Sequence, residues 1–299
     1  ILGGGPAGLT AAIYCIRKGL STGLLALKVG GQVAETAGIE NYLGYRHING
    51  VELVDKFRDQ VAQFGIAFEE KVDVEAIADG TLKQVRLTDG RVFQCRTLLL
   101  ATGKQPKRLE VPGELELVGR GVAYCAICDA PFFAGQKVVV VGGGNSGVQA
   151  AIDLAKLASH VTLVQRRDHL IADRILIDKL AAFNNVDYCC NHLVTEIRGD
   201  KHVRQVMLQD RASGDSRLME TNGVFIQIGL IPNSAFAQGV LAMNNLGEIT
   251  VDSLCRTSRK GIFAAGDVTD VPYKQIIIAC GEGAKAALAL YDHLLNQQD

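Results

Sequence analysis

Three short patterns in this 299-residue chain hold residues able to do chemistry. Two are glycine turns of the form G-x-G-x-x-G: Gly3-Gly4-Gly5-Pro6-Ala7-Gly8 and Gly142-Gly143-Gly144-Asn145-Ser146-Gly147. In such a turn the first glycine bends the chain and the second lets a pyrophosphate reach the backbone. The third allows close helix–strand packing, and the helix N-terminus faces the phosphates. The third pattern is Cys125-Ala126-Ile127-Cys128-Asp129. A C-x-x-C pair serves as half a zinc site or as a redox dithiol, or arises by coincidence. Zinc would need two more ligands, but there is no second C-x-x-C and the six histidines are scattered singly, so no metal site is expected. In a chain with two dinucleotide turns, a pair shuttling between dithiol and disulfide is the better use. Asp129 could exchange the proton if burial raises its pKa, or it could be a helix N-cap or first-turn acid.

The surrounding elements give the turns their mechanism. Each follows an apolar strand and opens a helix rich in small apolar residues, the first as 9–16 and the second as 148–154. Each is followed by a strand–turn–strand pattern. In the first, 81–87 and 91–95 flank Thr88-Asp89-Gly90; in the second, Val203–Asp210 and Ser216–Glu220 flank Ala212-Ser213-Gly214. Each pattern ends in an apolar strand running into glycine, 97–101 into Thr102-Gly103 and 223–228 into Gly229. This is an internal duplication. One glycine turn alone could be a purely structural strand–helix connection, but two at matching places predict two bound dinucleotides. Residues 233–299, with Gly266-Asp267 and a terminal helix over about 283–295, are too few for a domain and are expected to complete the first unit. Gly and Pro punctuate both crossings, at 103–106 and 229–232.

The strand 160–164 ends in Gln165-Arg166-Arg167 with no acid at its tip. An acid there would accept from NAD ribose hydroxyls, whereas two guanidiniums suit the 2′-phosphate of NADPH. A solvated basic turn is the competing interpretation. The strand 23–27 ends in Leu27-Lys28, also without an acid, and leaves adenosine-ribose recognition in the first unit unexplained.

Composition excludes several classes. With 31 Lys+Arg against 32 Asp+Glu, the chain has no global field for nucleic acid or anionic membrane. No uncharged apolar run approaches a membrane span, and no signal-peptide pattern appears. The 33 glycines exceed the usual ~7% while proline is scarce at 6, which suggests backbone placed where side chains cannot fit. Eight cysteines are too few for a disulfide-stapled secreted domain, so a reducing cytoplasmic compartment is expected and Cys189-Cys190 read as core thiols. The chain opens at Ile1-Leu2 directly before a glycine turn, so a short upstream piece is expected.

Taken in order, these motifs resemble the low-molecular-weight thioredoxin reductases and the related flavoprotein subunit of alkyl hydroperoxide reductase, over essentially the whole chain. The resemblance implies an α/β fold of two Rossmann-like domains of three-layer ββα type, the NAD(P) domain inserted into the FAD domain. It implies boundaries at 1–106 and 232–299 for FAD and 107–231 for NAD(P)H with the redox pair. Gly3, Gly5, Pro6, Ala7, Gly8, Gly31, Gln32, Asn41, Ala101, Thr102 and Gly103 would hold FAD. Thr257, Gly266, Asp267, Lys274, Gln275 and Ile276 match the segment around ribityl chain and flavin, with Asp267 bonding the ribityl chain. Gln275 and Ile276 would lie at a helix N-terminus whose dipole favours negative charge on reduced flavin. Gly142, Gly144, Asn145, Ser146, Gly147, Arg166 and Arg167 would hold NADPH, with NADH open. Two departures weaken that preference: Gln165 stands where the family has histidine, and Ile171 where it has a later arginine.

The implied activity is an NADPH-dependent flavoprotein disulfide reductase, a thioredoxin reductase. Electrons would pass from NADPH to FAD to Cys125–Cys128, Cys128 facing the flavin and Cys125 attacking the partner disulfide. The family rotates its NADPH domain about two linkers, here near 104–112 and 230–233. The expected partner is thioredoxin or a thioredoxin- or glutaredoxin-like protein, and the expected assembly a homodimer. The stretches 223–233 and 271–283 look closer to the hydroperoxide-reductase flavoprotein, whose extra N-terminal module is not expected here. A peroxiredoxin-system reductase therefore stays open, as do an NAD(P)H or dithiol oxidase and a non-catalytic flavin-binding regulator.

Overall fold

Strand Lys137–Val141 is four valines after a lysine, and the valines are buried on both faces, as a central parallel strand requires. The computed structural model, which describes residues 1–36 and 39–296, places it mid-sheet. The sheet order is Val186–Cys190, His160–Gln165, Lys137–Val141, Gly223–Ile226, Val122–Ala123, all parallel. Helix Asn145–Ala155 follows the central strand and buries Val148, Ala151, Ile152 and Leu154 in the core that also holds Val138, Val140, Leu163 and Phe225. The antiparallel meander His192–Gly199, Val203–Asp210, Ser216–Glu220 closes the other face through Val194, Ile197, Val206 and Leu208. Helices on one face and a meander on the other give the three-layer arrangement.

The other unit repeats this plan. Its sheet runs Ile262–Ala264, Leu98–Leu100, Leu2–Gly4, Gly23–Val29, Ala67–Glu70, again all parallel. Its meander is Val74–Ala78, Lys83–Leu87, Val92–Cys95. Helix Pro6–Arg17 packs on helix Ile276–Leu295 mostly through small residues, Ala7, Ala11 and Cys15 sharing a core with Ala279, Ala286 and the larger Leu290. The fifth strand is donated by the C-terminal segment, after the chain has crossed to the inserted unit and back. The compact units are Ile1–Ala34, Tyr42–Gln105 and Ile231–Asp299 for one, and Pro106–Leu230 with Glu35–Asn41 for the other. At the crossings, Lys104–Pro106 and Leu230–Pro232 form a two-stranded sheet.

Among the element bounds that differ from expectation, two bear on the site. The strand expected to end at Leu27-Lys28 continues to Val29, which pairs with Gly4 of the neighbouring strand. The terminal helix starts at Ile276 with Gln275 as N-cap, well before 283. Its isoleucine-rich first turn carries no helical signature, but Ala279 and Gly283 pack against helix Pro6–Arg17.

Candidate active site

The two glycine turns have the same geometry, position by position. Gly3 (φ +114°) and Gly142 (φ +123°) bend the chain in a region disfavoured for side chains. A Cβ on Gly3 would stand 2.2 Å from the Ala101 carbonyl oxygen, and one on Gly142 would stand 2.3 Å from that of Gln227. Gly8 and Gly147 sit in the first turn of each helix against the backbone of Gly3 and Gly142. Gly5 and Gly144 are different. Each is a helix N-cap without a side-chain cap, and a Cβ at either position would meet nothing within 4 Å. The first N–H groups of both helices are therefore left to a ligand, and the space where phosphate oxygens would come is open. These are the cradles that two dinucleotides need.

Around the first turn the structure gathers most of the expected residues within one unit. Gly30 donates its N–H to the Gly4 carbonyl at 2.8 Å, which lays Gly31 (φ +55°) against Gly5. Gln32, in the short helix Gly31–Glu35, donates from Nε2 to the Lys104 carbonyl at 2.7 Å. Ala101, Thr102 and Gly103 follow strand Leu98–Leu100, and the Ala101 N–H donates to Leu2 O at 2.7 Å. Gly266 packs on Ala7, and a Cβ on Gly283 would stand 2.1 Å from the Ala7 carbonyl oxygen. Close helix crossing thus brings Asp267 and the Gln275–Ile276 helix start to the side of the first glycine turn. Asn41 does not join this group: its segment Glu35–Asn41 groups with the other unit.

Four contributors, Asn233, Lys104, Glu248 and Asn244, carry no signal in the sequence. Asn233 pins the Thr102-Gly103 turn, donating from its N–H to Gly103 O at 2.9 Å and from Nδ2 to Thr102 O at 2.9 Å. Lys104 and Glu248 form a buried ion pair, and Lys274 lies 3.6 Å from the same carboxylate. Asn244 donates to Glu248 at 2.5 Å, and Lys274 donates to the Thr269 carbonyl at 2.6 Å. Burial would raise the Glu248 pKa, but the Lys104 and Asn244 hydrogen bonds outweigh it and hold the carboxyl below its ordinary value. Burial pushes Asp267 up, against the pull of Lys274 and Lys104, and pushes Lys274 down. No spacing rule pairs positions 104 and 248.

In the inserted unit, the Asn145 side chain of the second turn is bound twice to Asp173, donating from Nδ2 to Oδ2 at 2.9 Å and accepting its N–H at 2.8 Å. Ile171 donates its N–H to Gly143 O at 2.8 Å. The loop after strand His160–Gln165 is thereby tied to the glycine turn, with Ser146, Arg166 and Arg167 exposed. Gln165 is buried, its side chain filling the space beside Gly143 that a Cβ would need. A groove of about 730 Å³ lined by Lys137, Ser159, Arg204 and Asn222 lies at the opposite, N-terminal edge of this sheet and includes none of these residues.

Cys125 and Cys128 are joined as a disulfide with Cα atoms 5.4 Å apart. Cys125 caps the short helix Ala126–Asp129, and its Sγ accepts the Cys128 N–H at 3.3 Å. Both cysteines are half-buried, Ile127 between them is exposed and Asp129 is buried. Asp129 is a first-turn acid of this four-residue helix, and it stands at the N-cap position of the following short helix Ala130–Phe133 without a side-chain cap bond.

Over residues 1–283 the sequence matches the family described as pyridine nucleotide-disulphide oxidoreductase. The chain belongs to that family. Membership implies flavin and nicotinamide cofactors, which the two cradles fit. The chain is similar to the solved thioredoxin reductase of Streptococcus pyogenes MGAS5005, with 39% identity, a TM-score of 0.93 and coverage of 99% of this chain and 97% of that one. It is also similar to thioredoxin reductase from Giardia duodenalis, with 32% identity, a TM-score of 0.90 and coverage of 99% and 97%. An alkyl hydroperoxide reductase subunit of Escherichia coli (strain K12) is 44% identical over 301 residues, covering 99% of this chain and 58% of that protein. The chain thus spans less than two thirds of the length of the curated relatives it matches. No helix among the described residues is long and apolar enough to cross a membrane.

Proposed function

We propose that the protein is an NADPH-dependent flavoprotein disulfide reductase whose redox centre is Cys125–Cys128. The observation that carries this reading is a C-x-x-C disulfide on a chain with two matching, open glycine cradles. FAD would lie along Gly3, Gly5, Pro6, Ala7, Gly8, Gly31, Gln32 and Ala101–Gly103, with Gly266, Asp267, Lys274, Gln275 and Ile276 at its flavin end. Asn41, whose segment groups with the other unit, would complete that set. Residues 1–106 and 232–299 would form the FAD domain. Residues 107–231 would form the NADPH domain, with Gly142, Gly144, Asn145, Ser146, Gly147, Arg166 and Arg167 on the nucleotide. When bound, the two cofactors supply hydride and then electron-pair transfer from NADPH to the disulfide.

The protein residues do the exchange chemistry. In the reduced centre, the Cys128 N–H aimed at Cys125 Sγ favours a thiolate on Cys125. Cys125 attacks one sulfur of the partner disulfide, forming a mixed disulfide and releasing the partner's other sulfur as a thiol. Cys128 then attacks Cys125, frees the second partner thiol and restores the Cys125–Cys128 bond. Asp129, buried directly after Cys128, would exchange protons with the pair. The net change is NADPH, a proton and a protein disulfide giving NADP⁺ and a protein dithiol. Thioredoxin is the proposed partner, the cytoplasm the proposed compartment and a homodimer the proposed assembly. The 44% identity to the Escherichia coli alkyl hydroperoxide reductase protein favours one second reading, a peroxiredoxin-system reductase using a thioredoxin- or glutaredoxin-like carrier.

An anaerobic NADPH titration followed by flavin absorbance tests the reading. Uptake of two equivalents means that flavin and disulfide both accept an electron pair; uptake of one removes the disulfide from the path.

A further inference from the structure

The two exposed guanidiniums at the end of strand His160–Gln165 are held from a second element. Asn191 (φ +58°) donates its N–H to the Arg167 carbonyl at 2.7 Å, and Arg211 donates its N–H to the Asn191 carbonyl at 2.9 Å. Through Nη1 the Arg211 side chain donates to the Arg166 carbonyl at 2.8 Å. The hairpin end after Val203–Asp210 is thus latched to the strand tip, and its guanidinium is fixed beside Arg166. One donor is spent on the latch, and the rest of the fork is left for a ligand.

The local acids are already engaged. Asp168 accepts from His169 Nδ1 at 2.6 Å, and this contact holds its carboxyl below the ordinary value. Asp210 accepts the N–H groups of Ala212 and Ser213 and faces His192 Nε2 at 3.9 Å. Asp173 is bound by Asn145. Among the described residues no carboxylate lies within 4 Å of Arg166, Arg167 or Arg211 as an ion-pair partner. Position 171 adds no cation, being an isoleucine whose N–H is tied to Gly143. Three guanidiniums gathered at the strand tip and the adjoining hairpin end, with Asp168 near Arg167 but not ion-paired to it, suit a dianion, and planar forked donors suit a phosphate monoester.

We propose that Arg211 is a third residue of the subsite that reads the nucleotide 2′-phosphate, with Arg166 and Arg167. This rests on the reading that the inserted unit binds NADPH. No periodicity or motif links position 211 to 166, since the meander brings them together.

The test uses the full chain and two probes, 2′,5′-ADP and 5′-ADP, measured by calorimetry, with KM for NADPH and NADH alongside. Arg211→Ala should weaken 2′,5′-ADP binding about three- to tenfold, a range set by a charge-assisted contact discounted for exposure, and leave 5′-ADP unchanged. Arg211→Gln retains a donor for the Arg166 carbonyl without the charge, and it should weaken 2′,5′-ADP as much as Arg211→Ala. Wild-type affinity in Arg211→Gln would reduce Arg211 to a latch and overturn the proposal, as would equal losses for both probes in Arg211→Ala. Arg166→Ala separates the two levels. If it discriminates between the probes while Arg211→Ala does not, only the Arg211 assignment fails. If Arg166→Ala weakens both probes equally, the NADPH reading fails with it.

Discussion

Gly147 lies so close to Gly142 that a Cβ added to it would stand 1.7 Å from the Gly142 carbonyl oxygen, while Gly144 between them faces open space. The same turn therefore contains one glycine required by packing and one that packing does not require. Gly144 sits at φ −88°, ψ −176°, extended backbone open to any residue. Gly144→Val should lower the melting temperature by only about 1–4 °C, because its Cβ meets no overlap and the cost is that of a poorer N-cap. The same variant should lose NADPH affinity by more than about tenfold, because its side chain occupies the phosphate space. Gly147→Ala should instead lower stability by about 1–3 kcal/mol, since the overlap is with main chain that cannot step aside. Thermal melts with nucleotide titration check both. A Gly144→Val protein binding NADPH normally would remove the pyrophosphate from this turn.

The duplicated layout, both glycine turns and the redox pair were legible because each depends on local sequence. A valine run, a glycine that must bend and a two-residue spacing between cysteines are visible within ten positions. The hairpins were legible for the same reason, with Val203–Asp210 and Ser216–Glu220 found at the expected bounds. What escaped depends on distant contact. Asn233 holds a turn 131 residues away, and Lys104 meets Glu248 across 144. The true start of the terminal helix was legible only through the family resemblance, which put Gln275 and Ile276 at a helix N-terminus, because its first turn has no amphipathic pattern of its own.

The buried charges around Glu248 give a stability prediction. Two lysines share this one carboxylate, so neutralising it leaves ammonium groups in a site with little water. Glu248→Gln should cost about 2–4 kcal/mol, somewhat less than loss of a whole buried partner, because the amide still hydrogen-bonds. The pH dependence has a definite sign. Glu248 has a folded pKa depressed below its ordinary 4.5, so its contribution is complete above pH 4.5 and is lost as pH falls further. Asp267 is shifted the other way, so its contribution is present below its ordinary 3.8 and is lost as pH rises through the raised folded value. The difference between wild type and Glu248→Gln therefore isolates Glu248. Denaturant melts across pH 3–7 should show the gap between the two proteins narrowing below about pH 4.5. A gap constant with pH would mean that the carboxylate charge is not what holds the cluster.

Thiol reactivity should single out the redox pair. Six cysteines besides the disulfide pair are free, and most are buried or half-buried. Burial pushes the Cys15 and Cys255 thiols up to about 11 and raises Cys95, Cys189 and Cys190, the pull of Arg217 on Cys189 being the smaller effect. The nucleophile is the thiolate, so these groups are almost entirely unreactive near neutrality. Cys125 differs in having a backbone N–H directed at its sulfur. After reduction with excess NADPH, brief alkylation at neutral pH should modify Cys125 first and leave Cys189 and Cys190 unmodified, read by peptide mass spectrometry. The double variant Cys189→Ser, Cys190→Ser should turn over a protein disulfide within about twofold of wild type, as expected for side chains outside the reaction path. Cys125→Ser and Cys128→Ser should each reduce turnover by at least about a hundredfold, because the exchange needs both sulfurs. Turnover that persists in Cys128→Ser while failing in the Cys189→Ser, Cys190→Ser protein would move the redox centre from the C-x-x-C helix to the strand end at Cys190.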